Sequence, residues 1–283
     1  MKLFPKMELA VKAMALCCPD KKDDGNKTIH DDSNKSPIAR SEVFNETWML
    51  RLTLALIHDY AEDFEDSTLA CIHKAVTKRW ISEGGLVPTL KNEGPTWTDA
   101  IIGDVSIETD MEMEDISGNK RGVKLAHDSK DCGVIVIEAK IGSKLARKTT
   151  HHSGYNQAAR NIACLAQLIM DESDSYKTKC AFIVLGPREK AKSWEGKVPN
   201  QDLLDGADEI IQKTHCEKPT QYDKNDQNKV LETAGLIVKR VISWEEIIES
   251  MQKADTTGAC ETLKWFYEET CAEYGIKPSW SKT

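Results

Sequence analysis

Glu138 and Lys140 stand one residue apart near the end of GVIVIEAKIG (133–142), after a run of branched apolar residues. In a β-strand, residues i and i+2 share a face, so the two charges are neighbours and Ala139 points the other way. A charged pair at the end of so apolar a strand is costly unless it is paired or bound to something. One reading is an ordinary strand end with a solvated Glu–Lys pair. The chemical reading makes Glu138 a metal ligand and has Lys140 place or activate a water. A hard divalent cation such as Mg²⁺ takes more than one carboxylate oxygen, so a second acid is expected from an adjacent strand. TWTDAIIGDVSIE (96–108) offers two. Asp99 opens an apolar stretch and fits if its strand runs antiparallel to that of Glu138. Asp104 lies five residues on, points to the opposite face, and is the alternative metal ligand.

Charge is unevenly distributed around this pair. The chain carries a formal net charge of -8, which argues against a general polyphosphate binder. Yet residues 141–170 contain no Asp or Glu, although the chain holds 46 acids in 283 residues. Simple proportion would put about five there. The same window holds Lys144, Arg147, Lys148 and Arg160, with His151 and His152. A buried helix would explain half of the acid-free run. A local positive wall that docks a phosphate backbone would explain the rest, with contacts to phosphate rather than to bases. The adjacent histidines diverge in an extended segment and have no third ligand spaced with them, so a solvated loop is the simpler account.

These residues must be positioned by a fold. The pattern predicts a short helix over 5–18 and a charged linker over 19–37. It predicts helices over 42–62 and 67–83, the latter stopped by Gly84-Gly85. A strand over 99–109 follows, then a charge-dense hairpin or exposed insertion over 108–131. The continuous β-branched run makes 133–141 a strand covered on both faces. A helix over 154–171, a strand over 180–186, and a polar stretch over 190–229 with one short helix come next. A strand over 236–244 leads into a helix, and a last helix covers 260–275. Trp194, Trp244 and Trp265 are expected as packing anchors. The expectation is an α/β fold: a central mixed four- or five-stranded sheet flanked by helices. Residues 1–37 form an N-terminal helix and linker, and 38–283 a single domain.

An Asp at a strand start, a charged hairpin, an apolar strand ending Glu-Ala-Lys and then a helix bearing Gln resembles the PD-(D/E)XK, or restriction-endonuclease-like, nuclease superfamily. Glu138-Ala139-Lys140 matches the (Asp/Glu)-x-Lys element in full, and Thr98-Asp99 stands where the family has Pro-Asp. GYNQAARNIACLAQ (154–167) resembles the helix behind the site, with Gln157 and Arg160 three apart on one side. Asn161 stands where the RecB-like subgroup has Tyr. The family's glutamate from the first core helix corresponds to Glu46, with Glu42 second. The resemblance implies that Asp99, Glu138 and the carbonyl of Ala139 hold Mg²⁺, or Mn²⁺. Such an ion polarises a scissile phosphate and lowers the pKa of a bound water. Lys140 would place positive charge near the attacking water and the developing charge. Gln157 and Arg160 would orient the phosphate or Lys140.

The expected function is therefore metal-dependent hydrolysis of DNA phosphodiester bonds, in the cytoplasm or another DNA-containing compartment, by a monomer or a homodimer. A catalytically silent binding or assembly module of the same fold is the first alternative. A soluble enzyme using Lys140 as an amine nucleophile is another, and would need a dry pocket that lowers its pKa. No apolar run is long enough to span a bilayer. The amphipathic start, with Glu8, does not read as a signal peptide. The nine cysteines include no CxxC pair, so no zinc or iron–sulfur site is indicated. GPREKAKS (186–193) lacks the P-loop spacing, and no G-x-S-x-G elbow is present.

Overall fold

A computed structural model describes residues 44–59, 67–86, 96–108, 122–126, 131–143, 157–195, 224–255 and 258–282. The helices are α1 (Glu46–Asp59), α2 (Ser67–Lys78), α3 (Gln157–Ile169), α4 (Asp174–Lys177), α5 (Arg188–Glu195), α6 (Lys224–Leu236), α7 (Trp244–Ala254) and α8 (Ala259–Glu273). The strands are β1 (Trp80–Leu86), β2 (Thr96–Gly103), β3 (Val105–Glu108), β4 (Gly122–Leu125), β5 (Val134–Ala139), β6 (Ala181–Gly186) and β7 (Val238–Ser243). They form one seven-stranded mixed sheet in the order β3-β4-β1-β2-β5-β6-β7.

The centre of the sheet follows from the period-2 pattern of β5. Ile135, Ile137 and Ala139 enter one core with residues of α1, α2, α7 and α8, such as Leu50, Ile72, Ile248 and Phe266. Val134 and Val136 enter the other, with Ile162 and Leu165 of α3 and Ala234 of α6. The protein is thus an α/β fold with helices on both faces of the sheet, and β5 is covered twice, as its unbroken apolar run requires. β5 pairs with β2 antiparallel and with β6 parallel. Trp244 is fully buried, Trp194 nearly so, and Trp265 packs against the core around Phe44.

The sheet is larger than the four or five strands expected from sequence, for three reasons. The segment read as the tail of a helix to residue 83 is β1; the helix stops at Lys78. Gly84 does not cap a helix there. It lies inside the strand, where an added Cβ would sit 2.9 Å from Ile101 Cδ1 and 3.2 Å from Val123 Cγ2. Cross-strand packing overrides the local helical pattern. The charge-dense segment also contributes β4, which pairs with β3 antiparallel and extends the sheet beyond β1.

The single strand expected over 99–109 is divided. β2 ends at Gly103 and β3 begins at Val105. Gly103 has φ 108, and a Cβ there would lie 2.1 Å from the Gly133 carbonyl oxygen, so only glycine fits the break.

Candidate active site

The β2–β5 register pairs Ala100 with Ile137 and Ile102 with Ile135. Continued by one position, it sets Asp99 opposite Glu138. The amide of Ala139 donates to Asp99 Oδ2 at 2.7 Å. Lys140 Nζ lies 3.7 Å from the same oxygen and donates to Glu138 Oε1 in a very short contact. Glu138 Oε2 accepts from Asn161 Nδ2 of α3 at 3.0 Å. One ammonium therefore faces two carboxylates carried by antiparallel strands. Glu138 is 0% exposed and Lys140 7%.

Two negative charges against one positive charge, in a buried setting, shift all three groups. Burial raises Glu138 most, the charge of Asp99 adds to it, and Lys140 and Asn161 pull back; the result is about 7. Burial also raises Asp99, against Lys140 and the Ala139 amide. Burial pulls the Lys140 ammonium down, but Glu138 and Asp99 outweigh it, and its pKa ends above the ordinary value. Each carboxyl is raised first by its burial, which the one nearby ammonium only partly offsets.

The turn after Lys140 is fixed from several helices. Glu46, at the start of α1, accepts from the amides of Ile141 at 2.5 Å, Gly142 at 3.0 Å and Ser143 at 3.4 Å through Oε1. Lys190 of α5 donates to the carbonyls of Ile141 at 2.6 Å and Gly142 at 3.0 Å. Trp244 Nε1 donates to the Lys140 carbonyl at 3.3 Å, and the Lys140 amide donates to the Leu185 carbonyl at 2.8 Å. Glu46 thus holds the backbone that carries Lys140, and its carboxylate is engaged with amides.

Asp104 is elsewhere. It follows the break after β2, 2% exposed, with Oδ2 accepting from the amides of Cys132 and Gly133, both at 2.9 Å. It ties the entrance of β5 to β2, at the opposite end of the strand from Glu138, so it is not a second ligand beside Glu138. Asp104→Ala should lower stability by about 2–3 kcal/mol, the scale of lost hydrogen bonds to a charged acceptor, and leave Mn²⁺ affinity unchanged. Asp99→Asn should do the reverse. Urea unfolding and calorimetric Mn²⁺ titration of both variants check this, and loss of Mn²⁺ affinity in the Asp104 variant would refute the assignment.

Among the remaining expected residues, Gln157 opens α3 one turn before Asn161 and makes no hydrogen bond to the carboxylates. Arg160 is half-buried on the same helix. Nine of the 13 residues of α3 are buried, so packing accounts for the absence of acids from that half of the window. Lys144, Arg147, Lys148, His151, His152 and Glu42 lie outside the described residues. Asn161, Lys190 and Trp244 were not expected as site residues. The one signal available was the helical spacing of Asn161 from Gln157, which puts it one turn further along the same face.

No group of three or more His, Cys, Asp or Glu side chains is clustered for metal binding among the described residues. Mg²⁺, however, is commonly held by one or two carboxylates, completed by water and substrate phosphate. Asp99 and Glu138 fit that mode. Both are oxygen donors, both are raised chiefly by burial, and the buried Asn161 Oδ1 beside them has no hydrogen-bond partner.

Comparison of the chain with protein-family models, with curated proteins and with solved structures finds no match. Among the described residues, no helix is long and apolar enough to cross a membrane.

Proposed function

We propose that this protein hydrolyses DNA phosphodiester bonds with a divalent metal, in the manner of the PD-(D/E)XK nucleases that its Asp99 and Glu138-Ala139-Lys140 resemble. The observation that carries the reading is the placement of Asp99 and Glu138, from antiparallel strands, around the single ammonium of Lys140. Asp99, Glu138 and the Ala139 carbonyl would hold Mg²⁺ or Mn²⁺. The ion, when bound, polarises a phosphate and acidifies a coordinated water. Asn161 fixes the rotamer of Glu138. Glu46, Lys190 and Trp244 fix the backbone of Lys140. The Lys140 ammonium is charged at neutral pH and is the donor nearest to where a nucleophile and the developing charge would stand. Incubation of plasmid and linear DNA with Mg²⁺ or Mn²⁺ tests the proposal. Cleavage that needs the metal and is lost in Asp99→Asn is expected; equal cleavage by the variant, or none by the wild type, would overturn it.

The raised Glu138 pKa gives a pH signature. The fold favours the protonated carboxyl, so the stability it contributes is full below the ordinary value, 4.5, and is lost as pH rises through about 7. A metal binds only the carboxylate, so its affinity should move the other way. Below about pH 7, Mn²⁺ affinity should rise about tenfold per pH unit, one proton leaving per ion, and flatten above it. Calorimetry in buffers of different ionisation enthalpy counts that proton. Zero release at about pH 6 would remove Glu138 from the metal site.

A second reading is a silent binding or assembly module. It is favoured by the closure of Glu138, whose oxygens are already engaged by Lys140 and Asn161. In that case the ammonium permanently occupies the place of a metal, and Mn²⁺ should not bind.

A further inference from the structure

We infer that Trp97 and Tyr274 are two base-stacking surfaces flanking the Asp99–Glu138–Lys140 cluster, so that the nucleic acid taken there is DNA with unpaired bases. This rests on the nuclease reading and names its substrate class.

The two rings are exposed where an aromatic gains least from packing. Each is 41% exposed, against complete burial of Trp244. On β2, Thr96 and Thr98 are buried, while Trp97 and Asp99 alternate with them toward solvent. Two residues along a strand is about 6.5–7 Å, so the indole stands one nucleotide's reach from the Asp99 carboxylate. Tyr274 approaches from the other chain segment. It ends α8, with its amide on the carbonyls of Thr270 and Cys271, so its backbone is fixed. Its ring lies on Gly142, two residues after Lys140. A Cβ at Gly142 would fall 2.0 Å from the Tyr274 Cδ1 atom, so the contact exists only because residue 142 has no side chain.

Charge decides between a duplex and an unpaired strand. Asp99, Glu138 and Glu46 gather at the site, on a chain of net charge -8. Binding driven by the phosphate backbone alone is opposed by these carboxylates. Stacking needs no complementary charge and is tolerant of sequence, but it requires a base face that a duplex keeps covered. Two rings on a rigid strand and a rigid helix end offer such faces at little entropic cost.

The test is fluorescence anisotropy of the full chain with a labelled oligothymidylate, an abasic oligonucleotide of equal length and a duplex, in Ca²⁺ so that the strand stays whole. Trp97→Leu and Tyr274→Leu keep an apolar cover without a ring; Trp97→Phe and Tyr274→Phe keep a ring. The oligothymidylate should bind more tightly than the duplex or the abasic strand. Each Leu variant should lose about five- to a hundredfold in affinity, and each Phe variant should keep most of the wild-type affinity. Gly142→Ala, which displaces the Tyr274 ring while leaving the tyrosine in place, should weaken binding as Tyr274→Leu does. Leu variants that bind like wild type, or abasic and duplex DNA bound as tightly as oligothymidylate, would overturn the inference. If the rings matter but no metal-dependent cleavage occurs, hydrolysis falls and the binding inference stands. If cleavage depends on Asp99 but the Leu variants bind normally, only the inference falls.

Discussion

Lys140→Ala is expected to lower Mg²⁺-dependent DNA cleavage by about a hundred- to a thousandfold, the cost of removing one donor aimed at developing charge, while the protein stays folded. The side chain is nearly buried between Glu138 and Asp99, and its loss leaves two carboxylates face to face. Glu138 already sits at about 7, so a proton can replace the ammonium at modest cost near neutral pH. Mn²⁺ should still bind, and more tightly, since the competing ammonium is gone. Single-turnover cleavage paired with a metal titration separates the two effects. Cleavage at the wild-type rate would take Lys140 out of the mechanism.

The second large effect concerns stability. Glu138→Ala orphans both the Lys140 ammonium and the Asn161 amide in a buried site. Breaking a buried ion pair by removing one partner costs about 3–5 kcal/mol. Asp99, 3.7 Å from Lys140, offsets part of this, so the lower end of the range is expected. Glu138→Gln retains an acceptor for either donor and should cost much less, while still removing the carboxylate proposed to hold the metal. Urea unfolding of the two variants reads the difference. Equal stability of Glu138→Ala and wild type would mean that neither the ion pair with Lys140 nor the Asn161 link to α3 stabilises the fold.

The arrangement of charged side chains at the end of β5 was legible because it is local. A strand fixes which face Glu138 and Lys140 share, and the same period separates Asp99 from Asp104. The structure accordingly sets Asp99 beside Glu138 and leaves Asp104 tied to the amides of Cys132 and Gly133. β6, β7 and the last two helices were also readable from their apolar patterns. What escaped detection depends on distant partners. Trp80–Leu86 carries a pattern compatible with a helix, and only pairing with β2 makes it a strand. The paired glycines there looked like a stop, but they lie inside the strand, where Gly84 packs closely against Ile101. Lys190 and Trp244 carry no motif; their roles exist only because α5 and α7 begin against the turn at 140–142. Glu46 was indicated by family resemblance alone, and its three amide contacts could not be read from its own helix.

Those contacts on the 140–143 turn also bear on the order of folding. Glu46 is 95 residues from Ile141, Lys190 49, and Trp244 104 from Lys140. Contacts so far apart in sequence repay their loop-closure entropy late, after the nearer elements have formed. During synthesis the N-terminal elements emerge first. A chain that has extruded β5 carries both Glu138 and Lys140, but neither the Trp244 donor nor the Tyr274 ring. The turn takes its final shape only when α7 and α8 dock. Whatever the Asp99–Glu138–Lys140 cluster does, the turn that carries it would thus be incomplete on the nascent chain and be finished only by the last elements to emerge.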